Sequence, residues 1–270
     1  ARSQRGLQQI QILRLRDLHR SQRGKVRGGE LAVEQFCACA PHGRDQPGQR
    51  DLGGVVRAAE HAFAAEHPVK ADTISETPSA HCFPAFLTPD ECAHIARAGQ
   101  DLLEPSMIVD PVSGKFLPHP IRTSAGATLG PTRESLPIQA IQRRIAAATH
   151  IPVAHGESFS LLHYAPGQQY RLHVDTLPEP CNQRVATCIL YLNQGYAGGE
   201  TYLEGNATRF KGGIGDALFF LNVDAAGRPD AKSRHAGLPV VKGTKWIATR
   251  WLRAAPFDPW AVGYGVGTGR

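Results

Sequence analysis

The chain has 270 residues, 41% of them hydrophobic and 20% charged, which suits a large domain with a sizeable core. Its longest apolar run, near Ala217–Leu221, is far short of the roughly 18 residues that a membrane-spanning helix needs, and six cysteines are too few for a disulfide-built scaffold. The net charge of +6 lies wholly in residues 1–57, where eleven Lys/Arg meet five Asp/Glu; the rest of the chain is neutral.

Residues 1–57 are rich in Arg, Gln and Gly, a composition that favours disorder. A basic tether to nucleic acid or another acidic surface is one use of such a segment; a solvated tail or the end of a neighbouring domain is another. Leu7, Ile10, Leu13 and Leu18 fit a short amphipathic helix of the targeting kind. The chain starts at Ala1 and its one methionine is Met107, as expected where translation begins upstream. Cys37 and Cys39 lack a second pair at metal-binding spacing and read as incidental. The same holds for Cys82, Cys92, Cys181 and Cys188, and this usage favours a reducing, cytoplasmic compartment.

Residues 58–78 read as a short helix (AAEHAFAAE, 58–66) and a polar linker over 70–79. At Thr88 a helix start is written out. Thr88 can cap, Pro89 suits the first helical position, and Glu91 completes a capping box. Cys92, Ile95, Ala96, Leu102 and Leu103 supply its apolar stripe. A second helix fits 134–149, with Leu136, Ile138, Ile141 and Ile145 near one face and Pro137 in its first turn. After residue 155 the pattern turns to short apolar, aromatic and β-branched segments at 158–164, 185–193, Thr201–Leu203, 217–222 and 245–252, parted by Gly-rich turns. Helices first and strands afterwards predict an α+β domain over 79–256, its strands forming a jelly roll or sandwich. The Gly-rich tail 257–270 reads as loosely ordered.

The chemistry concentrates in YRLHVD, 170–175. In an extended segment His173 and Asp175 project to one face. His235 begins a later strand pattern. Two imidazoles and one carboxylate on one face of a metal leave coordination positions open, the facial triad of non-haem Fe(II) oxygenases. On its own His-x-Asp is equally a surface polar pair. No phosphate-binding glycine loop and no Ser–His–Asp arrangement competes for the role.

The surrounding blocks resemble the prolyl 4-hydroxylases. They are LHYAPGQQYRLHVD (162–175), RVATCILYLN (184–193) with AGGET (197–201), GDALFF (215–220) and HAGLPVVKGTKWIATRW (235–251), in that order. The resemblance implies a double-stranded β-helix with N-terminal supporting helices. It implies an enzyme that holds Fe(II), consumes 2-oxoglutarate and O2, releases succinate and CO2, and uses L-ascorbate as reductant. It implies His173, Asp175 and His235 as iron ligands and Lys245 as the cation for the distal carboxylate of 2-oxoglutarate. Tyr164, Tyr191 and, more weakly, Thr201 are candidates for hydroxyl bonds to the co-substrate, with core packing as the alternative use of the two tyrosines. Arg122, with Thr123 and Ser124, matches an Arg–Ser segment near the substrate opening, although an arginine on a polar edge strand reads the same way. Of Trp246 and Trp251, Trp246 is taken as the substrate-pocket wall.

The expected substrate is a prolyl residue in a peptide or protein, which is proline-rich in one version of this reading. A free amino acid or other small molecule is the first alternative, since fold does not set substrate. A non-catalytic jelly-roll module with a nucleic-acid-binding tail is the second.

Overall fold

The computed structural model describes residues 70–109, 116–119, 121–178 and 181–260. The expectations for residues 1–57, for the helix at 58–66 and for the tail beyond 260 lie outside the described residues. In chain order the elements are β1 (Asp72–Glu76), β2 (Ser79–Phe83), α1 (Pro89–Gly99), β3 (Glu104–Pro105), β4 (Met107–Val109), β5 (Phe116–Pro118), β6 (Ala125–Leu129) and α2 (Leu136–Thr149). Then come β7 (Phe159–Tyr164), β8 (Tyr170–His173), β9 (Arg184–Tyr191), β10 (Ala197–Gly198), β11 (Thr201–Leu203) and β12 (Thr208–Phe210). β13 (Ala217–Leu221), β14 (His235–Gly237), β15 (Val240–Lys242) and β16 (Lys245–Arg253) complete the set.

α1 begins as its sequence predicts. Thr88 accepts from the Glu91 amide at 3.2 Å, and the Glu91 carboxylate accepts from the Thr88 amide at 2.9 Å. Such a cap stabilises a helix by about 0.5–2 kcal/mol. Glu91 also takes two bonds from Arg144 of α2, at 2.8 and 2.9 Å, so one acid caps a helix and ties it to its neighbour. The stretch read as a polar linker is instead β1, which pairs antiparallel with β2. Its polar sequence, DTISE, belongs to the exposed edge of a sheet, where few side chains need to be apolar.

Eight strands form one antiparallel sheet in the order β1-β2-β13-β9-β16-β7-β6-β3, and β12-β11-β14-β8 form a second. Strand alternation splits the core in two. Leu161, Ala186, Cys188, Leu190, Phe219 and Ala248 face α1 and α2, against Ile95, Ile138, Ile141 and Ile145. Leu162, Tyr164, Ile189, Tyr191, Phe220 and Ile247 face the other way and pack with Leu203 and Val240. Burying one such aliphatic side chain is worth about 1.5–3 kcal/mol. The helices therefore support the outer face of the large sheet and leave its inner face, with the small sheet, to build a site. This is the double-stranded β-helix expected.

Candidate metal centre and its cleft

β8 and β14 are antiparallel neighbours, and His173 is the direct partner of His235. Residues 62 apart in the chain are thereby placed side by side. Asp175 lies two residues beyond His173 and turns back between the two rings. Its Oδ1 is 3.6 Å from His173 Nε2, and its Oδ2 is 3.5 Å from His235 Nε2. One donor atom from each of the three side chains falls within 4.8 Å of the others, and among the described residues this is the one such cluster of His, Cys, Asp and Glu.

The backbone sets the tautomers. His173 Nδ1 lies 2.8 Å from the Arg171 carbonyl, and His235 Nδ1 lies 3.0 Å from the Ser233 carbonyl. A carbonyl only accepts, so each Nδ1 carries a proton, and it is the Nε2 of each ring that turns its lone pair to a metal in the neutral tautomer. Packing fixes the ring planes. Tyr170 stacks on His173 at 3.4 Å and 12°, and Phe220 meets His235 edge-on at 4.7 Å. Burial pushes His235 down, towards the neutral form a ligand needs. For Asp175 burial pushes upward, but His235, His173 and the Thr187 hydroxyl outweigh it and hold the carboxyl well below its usual range. Two imidazole nitrogens and one ionised carboxylate fit a divalent first-row metal with positions left open.

The same face of β16 carries Lys245, 2% exposed. Its ammonium donates to the Gly199 carbonyl at 2.7 Å, and among the described residues it forms no ion pair. Gly198 and Gly199 have φ of +69° and +70°, a left-handed turn that brings this carbonyl inward. Tyr164 and Tyr191 hold their rings 5.5 and 5.6 Å from the ammonium. The Tyr191 hydroxyl lies 2.7 Å from Thr201 Oγ1. Burial pushes both phenols up, so they remain protonated. A buried ammonium without a carboxylate partner is costly unless an anion arrives to meet it.

A cleft of about 410 Å³, open to solvent, joins these groups; His173, Asp175, His235, Lys245, Tyr164 and Thr201 all line it. Tyr191 stands behind Thr201. Arg122 bridges to β8 beside Tyr170, with its guanidinium 5.5 Å from that ring, and does not itself line the cleft. The expectation for Trp246 is corrected. Lys245 points into the cleft, so alternation sends Ile247, Thr249 and Trp251 the same way and Trp246 to the opposite face. There its ring packs 4.5 Å from His163, against the helix-side core. Trp251 lines the cleft, and the Arg184 guanidinium covers its ring at 3.9 Å. Arg184 is held in turn by Glu157 at 2.6 and 2.9 Å. Sequence reasoning passed over Trp251, Tyr170 and Thr187. The two-residue period counted from Lys245 points to the first, and Thr187 is the one hydroxyl in the otherwise apolar buried run 185–190 of β9.

Comparison with known proteins agrees with this geometry. Residues 159–253 match the family model of the 2OG-Fe(II) oxygenase superfamily. Probable prolyl 4-hydroxylase 7 of Arabidopsis thaliana is 33% identical over 214 residues, 71% of this chain and 67% of that protein. Prolyl 4-hydroxylase 1 of the same plant is 36% identical over 204 residues, 68% of this chain and 72% of the other. The structure of a viral collagen prolyl hydroxylase from Paramecium Bursaria Chlorella virus-1, in its 2OG complex, matches with a TM-score of 0.51 at 27% identity. That match covers 65% of this chain and 96% of the viral one.

Proposed function

This chain belongs to the prolyl 4-hydroxylase family of 2OG-Fe(II) oxygenases, and from that premise we propose that it hydroxylates a prolyl residue in a peptide or protein substrate, with release of succinate and CO2. Fe(II), 2-oxoglutarate and O2 are its cofactor and co-substrates, with ascorbate as the accompanying reductant. The observation that carries the proposal is the convergence of the His173, Asp175 and His235 donor atoms in the cleft that also holds the buried ammonium of Lys245.

In this reading His173, Asp175 and His235 hold the iron through Nε2, carboxylate oxygen and Nε2. Lys245 takes the far carboxylate of 2-oxoglutarate, whose charge answers the buried ammonium. Thr201, with Tyr191 behind it, and Tyr164 offer hydroxyls along the same slot. When bound, ferrous iron and 2-oxoglutarate supply the oxidising power to place an oxygen atom on an unactivated C–H bond. The protein contributes geometry. Leu162, Ile189 and Ile247 keep the inner wall apolar and exclude water, Tyr170 and Phe220 clamp the ligand rings, and Trp251 offers a flat surface beside the centre.

The test uses the full chain with Fe(II), 2-oxoglutarate, ascorbate and a proline-rich peptide. The expected result is succinate released in step with peptide, and a gain of one oxygen atom located on proline by mass spectrometry. Succinate release that follows a free amino acid and ignores the peptide would overturn the substrate assignment and leave the oxygenase chemistry standing. His173→Ala and Asp175→Ala should each abolish turnover with the fold retained by circular dichroism.

A further inference from the structure

Behind the carboxylate of Asp175 runs a chain of two buried polar side chains that metal coordination alone does not require. Thr187, on β9 and 1% exposed, donates through Oγ1 to Asp175 Oδ2 at 2.6 Å. Asn222, just past β13 and fully buried, reaches the same hydroxyl through Nδ2 at 2.9 Å. The direction of each bond follows from valence. An ionised carboxylate only accepts, so the one proton of Thr187 goes to Asp175. The hydroxyl then has only lone pairs to offer, so Asn222 must present its NH2.

That orientation leaves Asn222 Oδ1 buried with no hydrogen-bond partner among the described residues. Turning the amide over would set Oδ1 against a hydroxyl whose proton is already given, acceptor against acceptor. The unmatched oxygen is therefore the consequence of keeping the Asp175 bond. An unsatisfied buried acceptor ordinarily weakens a fold, and its retention calls for a reason outside packing. The reason lies at the other end of the chain. The pinned oxygen, Oδ2, is the one facing His235, while Oδ1 faces His173. The terminal torsion of an aspartate is soft, so something must stop the carboxylate from rotating between the two rings.

We propose that Asn222 and Thr187 form a positioning relay that locks the rotation of the Asp175 carboxylate and so raises the affinity of the centre for a divalent metal. The relay rests on the reading of this cluster as a metal centre. Its test is Co(II) titration of the full-length apoprotein by visible absorption, with the metal-induced rise in Tm measured against each variant's own apo value. Thr187→Val keeps the shape of the side chain and loses the proton; its Co(II) Kd should rise by about 10–100-fold. Thr187→Ser keeps the hydroxyl and should bind close to wild type. Asn222→Leu should weaken binding less than Thr187→Val. The double variant should bind no worse than Thr187→Val alone, because both changes act through one oxygen.

Wild type that takes up no Co(II) overturns the metal reading and the relay with it. Wild type that binds, with Thr187→Val binding equally well, overturns the relay alone, as do losses that multiply in the double variant. Should Thr187→Val fail to fold, Thr187→Ser and Asn222→Leu decide: a weakened Asn222→Leu beside an intact Thr187→Ser supports the relay, and Asn222→Leu binding as wild type overturns it.

Discussion

Lys245 is a residue whose cost in the free protein states its purpose. Burial pushes its ammonium from the ordinary 10.5 down to about 8, with Glu200 pulling the other way and Lys211 adding to the fall. The sign of the linkage follows. Between about pH 8 and 10.5 the unfolded chain holds a proton that the folded one has released, so the stability of the free protein rises with pH across that window. Co-substrate binding should run in the opposite sense, because the far carboxylate needs the ammonium charged. The Kd for 2-oxoglutarate should be flat below pH 8 and climb above it, approaching about tenfold per pH unit as one proton is taken up on binding. Calorimetric titration of the metal-loaded protein, in buffers of differing ionisation heat, measures both the slope and the proton. Lys245→Met should bind weakly at every pH and lose the slope. A wild-type Kd that stays flat well above pH 8 would remove Lys245 from the co-substrate slot.

At the scale of the element, β16 shows what one strand does for two layers. Its odd-numbered residues from Lys245 to Trp251 face the cleft, while Ala248 and Leu252 join the helix-side core and Arg250 lies buried on that side. Trp251→Ala should therefore raise the KM for a peptide substrate with little change in Tm. Trp246→Ala should lower Tm and leave KM in place. Steady-state kinetics beside thermal melts separates the two. The strand itself was legible in the sequence, as were β7, β9, β11 and β13: β9 and β13 are buried along most of their length and read as near-continuous apolar runs, and the others stand out as short segments of apolar, aromatic and β-branched residues between turns. The edge strands β1 and β12 were not, since DTISE and TRF expose too much to need apolar side chains. The error over Trp246 was one of parity, not of location. The block was recognised, but the face of the strand was not counted from Lys245.

Across the whole molecule, the large sheet separates a supporting core from a working one, and the two should respond differently to the same kind of damage. Ile141, fully buried under the sheet on α2, touches the helix-side cluster alone. Leu203, equally buried on β11, is the direct cross-strand partner of His235 and belongs to the cluster between the sheets. The His-x-Asp half of the candidate metal centre was readable because His173 and Asp175 lie two residues apart in the chain. The support beneath His235 was not, because it comes from a strand 32 residues earlier that only the register brings alongside. Truncation to alanine should destabilise the fold by about 2–5 kcal/mol at either site. In Ile141→Ala the loss should stop there, with Co(II) and 2-oxoglutarate affinities unchanged once the protein is folded. In Leu203→Ala the void opens beside a ligand whose ring is positioned by packing against Phe220 and by one bond to a carbonyl. Denaturant melts paired with metal titration should then show Co(II) affinity falling in Leu203→Ala and holding in Ile141→Ala. Equal metal affinities in the two variants would mean that the small sheet holds His235 through its backbone alone.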